Sequence, residues 1–352
     1  MSTQKRTILF STLCLILLGT LFSRAFASTN KLNILPLNPY GEEQGLFRET
    51  WEKVKSISFE EDTKTFQNTT IYLVSGISTK HYPPMINFLR LFGFSGPRDL
   101  ADSFNQQKVF FKRQNISFKD IAIKTNGDPE ENATIIKKAL THSKSRRAFI
   151  VSHSKGGLDV LYSFLQYPEI RERVQGWIAL QTPFMGTPLS KPVVSPSPLG
   201  PFARLVEFIT TNGRDSLGSL TQDYRKNFYD RNYKEIQKIV KEIPTIGLGS
   251  WFLYPDENTY SYRGEKVFWE LPKMKKSVLH PTIKIIYQTD GPNDGLVPMK
   301  SSCFEGIQCF LLGNLDHAST VMRTEYFFDI GREKRIHLTR VFLYILLNKI
   351  GD

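Results

Sequence analysis

The sequence predicts an α/β fold, a mostly parallel sheet with helices on both faces, and three observations carry that prediction. Short β-branched apolar runs alternate with amphipathic segments along most of the chain. One such run, "RRAFIVS", stops at Ser152-His153-Ser154 and passes through paired glycines into a helical pattern. A chain of 352 residues with 40% hydrophobic content can bury one large core of this kind.

The elements follow in order. A helix is expected around "LFRETWEKVKSI", within an N-terminal extension over 28–65. "TTIYLVSG" reads as a buried strand ending in a glycine turn, and "PPMINFLRLFGF" as the helix after it. "DIAIKT" is a short strand. "GDPEENATIIKKALTHS" is a helix with Asp128 as N-cap, Pro129 at N1, Glu130 and Glu131 at its positive end, and Ala133, Ile136 and Leu140 on one face. Then come the strand "RRAFIVS", the helix "GGLDVLYSFLQYP" and the strand "VQGWIAL". "TIKIIYQ" is read as a late strand and "RIHLTRVFLYILLNK" as a closing helix. Between about 186 and 275 the alternation lapses. "KPVVSPSPLGP" is Pro/Ser-rich and "FARLVEFI" is a short apolar helix candidate, so this stretch reads as a cap or lid inserted over the carboxyl edge of the sheet.

The chain begins with the pattern of an export signal. Lys5 and Arg6 precede an apolar run from Ile8 to Phe22, and Ala25 and Ala27 flank a cleavage position after Ala27. The expected location is secreted, periplasmic or extracellular. Cys14 leaves with the leader, and Cys303 and Cys309 remain with five residues between them. In an oxidising compartment they are expected to close the loop "CFEGIQC" as a disulfide. The net charge of +12 is spread along the chain rather than gathered in a run. It is compatible with peripheral contact with a lipid or anionic envelope surface, and no motif supports nucleic-acid binding. Asn68, Asn115 and Asn132 head Asn-x-Ser/Thr triplets. Oligomeric state is not legible.

The chemistry centres on "SHSKG". A strand, a sharp turn with serine at its apex and a helix build a nucleophile elbow, with Ser154 as the nucleophile. Residues two before and two after must be small, because strand and helix nearly touch. Ser152 and Gly156 fill those places, with Ser152 standing where glycine is usual. A serine nucleophile needs a base and an orienting acid, in the order Ser, acid, His on this fold. Of six histidines, His81, His142, His153 and His280 precede the candidate acids and His337 lies in the closing helix, which leaves His317 as the base. Asp294 in "NDGLVP" and Asp290 just before it are the candidate acids, and Asp316 adjoins the histidine itself. An oxyanion hole would use the N–H of Lys155 and that of Ile77, with Gly76 supporting the turn.

These pieces resemble the α/β-hydrolase superfamily over roughly 66–352, most closely its secreted bacterial triacylglycerol lipases and esterases. The resemblance rests on "SHSKGGLD", "ALQTPFMGTP", "SLGSLTQDYRKNFYDR", "NDGLVPMKSSCF" and "LDHAS". It implies a serine carboxylic ester hydrolase with Ser154 as nucleophile, Asp294 as acid and His317 as base. It also implies an ester or lipid substrate and a mobile lid. Some of those lipases hold calcium beside the histidine loop. The matching carboxylates are not found here, and no metal or cofactor is carried over. A polyester depolymerase, a phospholipase, a thioesterase and a catalytically inactive lipid-binding protein share the same fold and stand as alternatives.

Overall fold

The computed structural model describes residues 42–76, 103–124, 127–142, 147–190, 218–252, 261–262, 265–266, 279–322 and 331–351. Helices α1 (Glu42–Ser56) and α2 (Phe59–Phe66) lead into strand β1 (Thr69–Ser75). Then come α3 (Asn105–Arg113), β2 (Ser117–Ile121), α4 (Pro129–Thr141), β3 (Arg147–His153), α5 (Lys155–Gln166) and β4 (Val174–Leu180). The second half holds α6 (Gln222–Glu242), β5 (Thr245–Trp251), a two-stranded ribbon of β6 (Ser261–Tyr262) and β7 (Glu265–Lys266), α7 (His280–Asp290), β8 (Gln308–Gly313) and α8 (Arg332–Gly351).

Six strands form one all-parallel sheet in the order β2-β1-β3-β4-β5-β8. Their alternation divides the core in two. Ile71, Leu73, Phe149, Val151, Ile178 and Leu180 face a cluster with α1, α3, α7 and α8. Tyr72, Val74, Ile150, Trp177 and Ala179 face a second cluster with α4, α5 and α6. Both faces are covered, so the central strands β1, β3 and β4 carry apolar residues on both sides. From β1 the chain moves outward to β2, then returns to β3 on the other side of β1. The loops after β1 and β3 therefore part and open a crevice at the carboxyl edge.

Local sequence explains the helices that frame the site. Asp128 caps α4 by accepting from Glu131 N at 2.7 Å, with Pro129 at the first position, as its sequence predicts. Asn132 is buried in the same helix, and its side chain bonds both backbone groups of Lys124, so this triplet is not a surface acceptor in the folded chain.

Three sequence expectations are corrected. "TIKIIYQ" lies in helix α7, not a strand: Pro281 starts the helix, and Ile283 and Ile286 fall on its buried face at helical spacing. The strand that joins the sheet is instead β5, "TIGLGSW", which lies inside the stretch 186–275 read as a lid insertion. Its glycines look like turn signals but sit in close packing, with Gly249 against a backbone carbonyl. A Cβ on Gly247 would stand 2.6 Å from Ile307 Cδ1, and one on Gly249 would stand 2.8 Å from Met299 O. Helix α6 also falls in that stretch and packs on α5, so 222–251 belongs to the main fold. The helix expected around "LFRETWEKVKSI" forms as α1 and belongs to the core: Phe47, Trp51 and Val54 are fully buried, and Phe47 packs at a tilt against Phe310 and Phe342. Strand β2 ends at Ile121 rather than covering "DIAIKT". It is an edge strand with an exposed face, and the apolar pair Ile121 and Ile123 marks its buried end. The expected helices "PPMINFLRLFGF" and "FARLVEFI", the export signal and residues 191–217 lie outside the described residues.

Candidate functional site

Ser154 sits at the apex between β3 and α5 with φ 57° and ψ −136°, a strained conformation for a residue with a side chain. The turn is held by Ser154 N–H donating to Leu180 O at 3.0 Å and by Gly76 N–H donating to His153 O at 3.0 Å. The crowding foreseen for the elbow is present. A Cβ on Gly156 would lie 2.5 Å from Val74 O, and one on Gly157 would collide with Thr182 Oγ1. Ser152 is tolerated because its side chain has work on the sheet side. Its Oγ accepts from the buried Trp177 indole N–H at 2.8 Å.

The loop residues meet at the same edge. His317 Nε2 is 2.8 Å from Ser154 Oγ, and His317 Nδ1 is 2.9 Å from Asp294 Oδ2. Asp294 is fully buried, and its second oxygen accepts from Leu296 N–H at 3.0 Å and Val297 N–H at 2.7 Å. Both carboxylate oxygens are thus satisfied, and the first is aimed at the imidazole. The backbone closes the same contact: His317 N–H donates to Asp294 O at 2.8 Å.

The rival aspartates are engaged elsewhere. Asp290 Oδ1 accepts from Gln222 Nε2 at 2.8 Å and pairs with Lys300 at 3.2 Å. Asp316 Oδ1 caps its own turn, accepting from Ala318 N–H, Ser319 N–H and Ser319 Oγ. His337 donates to Trp51 O and stands edge-on to the Trp51 ring, which ties α8 to α1.

Lys155 opens α5, where a helix leaves its first N–H groups without intrahelical acceptors and its dipole is positive. Gly76 comes so close that its Cβ would stand 2.7 Å from Lys155 N and cover that donor. Ile77 lies outside the described residues, so the second expected donor has no described position. The Lys155 side chain turns inward to Gly127 O at 3.1 Å and Asp159 at 3.0 Å. Burial pushes the Asp159 carboxyl up to about 6, against the opposing pull of Lys155.

Ser154 and His317 open into a cleft with Gly76 and Lys155 at its polar end and Pro183, Leu189, Leu220, Leu296 and Val297 along an apolar wall. Thr187 Oγ1 donates to Leu296 O at 2.6 Å and fastens the loop after β4 to the Asp294 loop. Cys303 and Cys309 form a disulfide with Cα atoms 6.0 Å apart, on the side of the sheet where Cys303 Sγ approaches Gly247.

Sequence reasoning missed Gln181. It follows β4 directly, is fully buried and has φ 50°. Its Nε2 donates to Asp316 O at 2.9 Å and to Ser250 Oγ at 2.6 Å, and its Oε1 accepts from Thr320 Oγ1 at 2.6 Å. Nothing in "ALQTPF" marks it beyond its place after a strand.

No family model matches the chain, and no curated protein matches it. Solved structures do. A metagenomic carboxyl esterase superposes with a TM-score of 0.54 at 17% identity, over 80% of this chain and 76% of that one. The mature form of a Bacillus licheniformis lipase gives 0.51 at 17% identity, over 79% of this chain and 91% of that one. At such identity the likeness is one of architecture, and with the six-stranded parallel sheet it identifies the α/β-hydrolase fold.

Proposed function

We propose that this protein is a serine hydrolase of carboxylic esters, of the lipase or esterase kind. One observation carries the reading: a continuous hydrogen-bonded chain from Ser154 Oγ through His317 to a buried Asp294, at 2.8 and 2.9 Å, on a strained elbow. An inactive lipid-binding descendant of the fold has no need to keep that chain intact. The similarity to an esterase and a lipase supports the same reaction class.

In this reading His317 Nε2 takes the proton of Ser154 Oγ as the oxygen attacks the ester carbonyl. Asp294 holds the imidazole with its proton on Nδ1 and stabilises the cation that forms. The tetrahedral oxyanion faces Lys155 N–H and the positive end of α5. Collapse returns the proton to the leaving alcohol. Water then repeats the steps on the acyl-enzyme and frees the acid. The apolar wall of Leu189, Leu220, Leu296 and Val297 suits the hydrocarbon of the substrate. The proposal includes export through the leader that ends at Ala27, in keeping with the disulfide.

The test is hydrolysis of p-nitrophenyl butyrate and palmitate by the mature chain beside Ser154→Ala. The expected result is activity in the wild type and loss of it in a variant with unchanged folding. A folded alanine variant that still turns over would remove Ser154 from the reaction.

A further inference from the structure

We infer that His153 and Gln181 form a clamp that positions the base: from the ends of two neighbouring strands they donate to consecutive carbonyl oxygens of the loop that carries His317. His153 ends β3 and Gln181 follows β4. His153 Nε2 donates to His317 O at 2.8 Å, and Gln181 Nε2 donates to Asp316 O at 2.9 Å. A carbonyl only accepts, so the His153 proton is on Nε2. Thr320 Oγ1 closes the clamp from the far side of the loop by donating to Gln181 Oε1.

The device has structural costs that a surface contact would not carry. Gln181 holds φ 50°, a region unfavourable for a residue with a side chain, and it is wholly buried. His153 is 2% exposed, and its ring packs 4.8 Å from the His317 ring. Burial and the adjacent His317 push His153 down to about 3, so it remains a neutral donor when His317 gains a proton. Two donors from rigid strand ends fix a loop at the residue where a displacement matters most. A shift of about 1 Å at the base would cost roughly 100-fold in rate.

The inference deepens the proposed function and rests on it for its kinetic readout. His153 and Gln181 are positioning residues, since neither touches the reacting atoms. The experiment compares His153→Phe, His153→Gln and Gln181→Met with wild type and Ser154→Ala. It measures kcat and KM on p-nitrophenyl butyrate, the rate of fluorophosphonate labelling, urea unfolding, and the downfield proton resonance of the His317 Nδ1 to Asp294 hydrogen bond. In His153→Phe and Gln181→Met, kcat and labelling rate are expected to fall roughly 10- to 100-fold with KM little changed. That downfield resonance should broaden or disappear. The glutamine amide Nε2 overlays the imidazole Nε2, so His153→Gln should recover most of the rate. Folded variants with wild-type kcat and an unmoved resonance would overturn the clamp, as would equal loss in His153→Phe and His153→Gln. The resonance does not depend on turnover. If Ser154→Ala stays active while the resonance responds to His153→Phe, the proposed reaction fails and the clamp stands.

Discussion

Replacing Ser152 by glycine, the residue usual at that elbow position, should weaken this protein. Ser152 Oγ is the acceptor for the Trp177 indole N–H at 2.8 Å, and both side chains are fully buried. Removing the hydroxyl orphans a buried donor, which costs about 1–3 kcal/mol. Glycine within a strand adds about 0.5–1 kcal/mol of backbone entropy. The sum is about 2–4 kcal/mol, and Ser152→Ala should show the first part alone. With a urea m-value of about 3 kcal/mol/M, the glycine variant's midpoint should drop by roughly 1 M at unchanged m. The double variant with Trp177→Phe should recover a coupling of about 1 kcal/mol, because donor and acceptor are then removed together. A Ser152→Gly midpoint at or above wild type would refute the reasoning and make the serine a neutral replacement.

The acids can be separated by activity. Asp294→Asn presents an amide N–H to His317 Nδ1, favours the wrong tautomer and should lower kcat by about 10⁴-fold, whereas Asp290→Asn should leave ester turnover near wild type. Asp159 links stability to pH. Its folded carboxyl lies at about 6 against about 4 in the unfolded chain, so the folded state binds more protons in that window and the contribution of this group falls as pH rises from about 4 to 6. In Asp159→Asn that slope should vanish from urea midpoints measured across the window. Reduction of Cys303–Cys309 opens a short loop and should lower the unfolding free energy by about 2–3 kcal/mol, read from urea curves with and without a thiol reductant.

What the sequence disclosed follows the physics of each element. β1, β3 and β4 are buried on both faces, so each carries an apolar run at its centre, and α4 announces itself through Asp128 and Pro129. The elbow is legible because Gly156 and Gly157 face backbone and side chain too closely for a Cβ. The hydrogen-bonded order of Ser154, Asp294 and His317 was readable because the fold dictates which loop comes next. β5 was hidden since its glycines face Met299 and Ile307, fifty and sixty positions away. α7 was misread because a short Ile-rich run is too brief for its spacing to separate helix from strand. Gln181 was invisible for a further reason: its partners Asp316 and Thr320 lie some 135 residues downstream, and a lone glutamine after a strand carries no local signal.

The packing of α1 and α2 has a consequence for how the molecule is assembled in time. Phe47 rests on Phe342, and Asp62 binds Arg340 and Tyr344 across 278 and 282 positions. A chain growing from its first residue makes these two helices early and supplies their partner last. Until α8 emerges, α1 has only β8 to dock against, and the Asp62 carboxylate lacks Arg340 and Tyr344. Contacts so distant along the chain pay their closure entropy at the end of folding. Helices α1 and α2 thus close against α8 as a latch, and a chain interrupted before residue 332 would leave them unfastened from it.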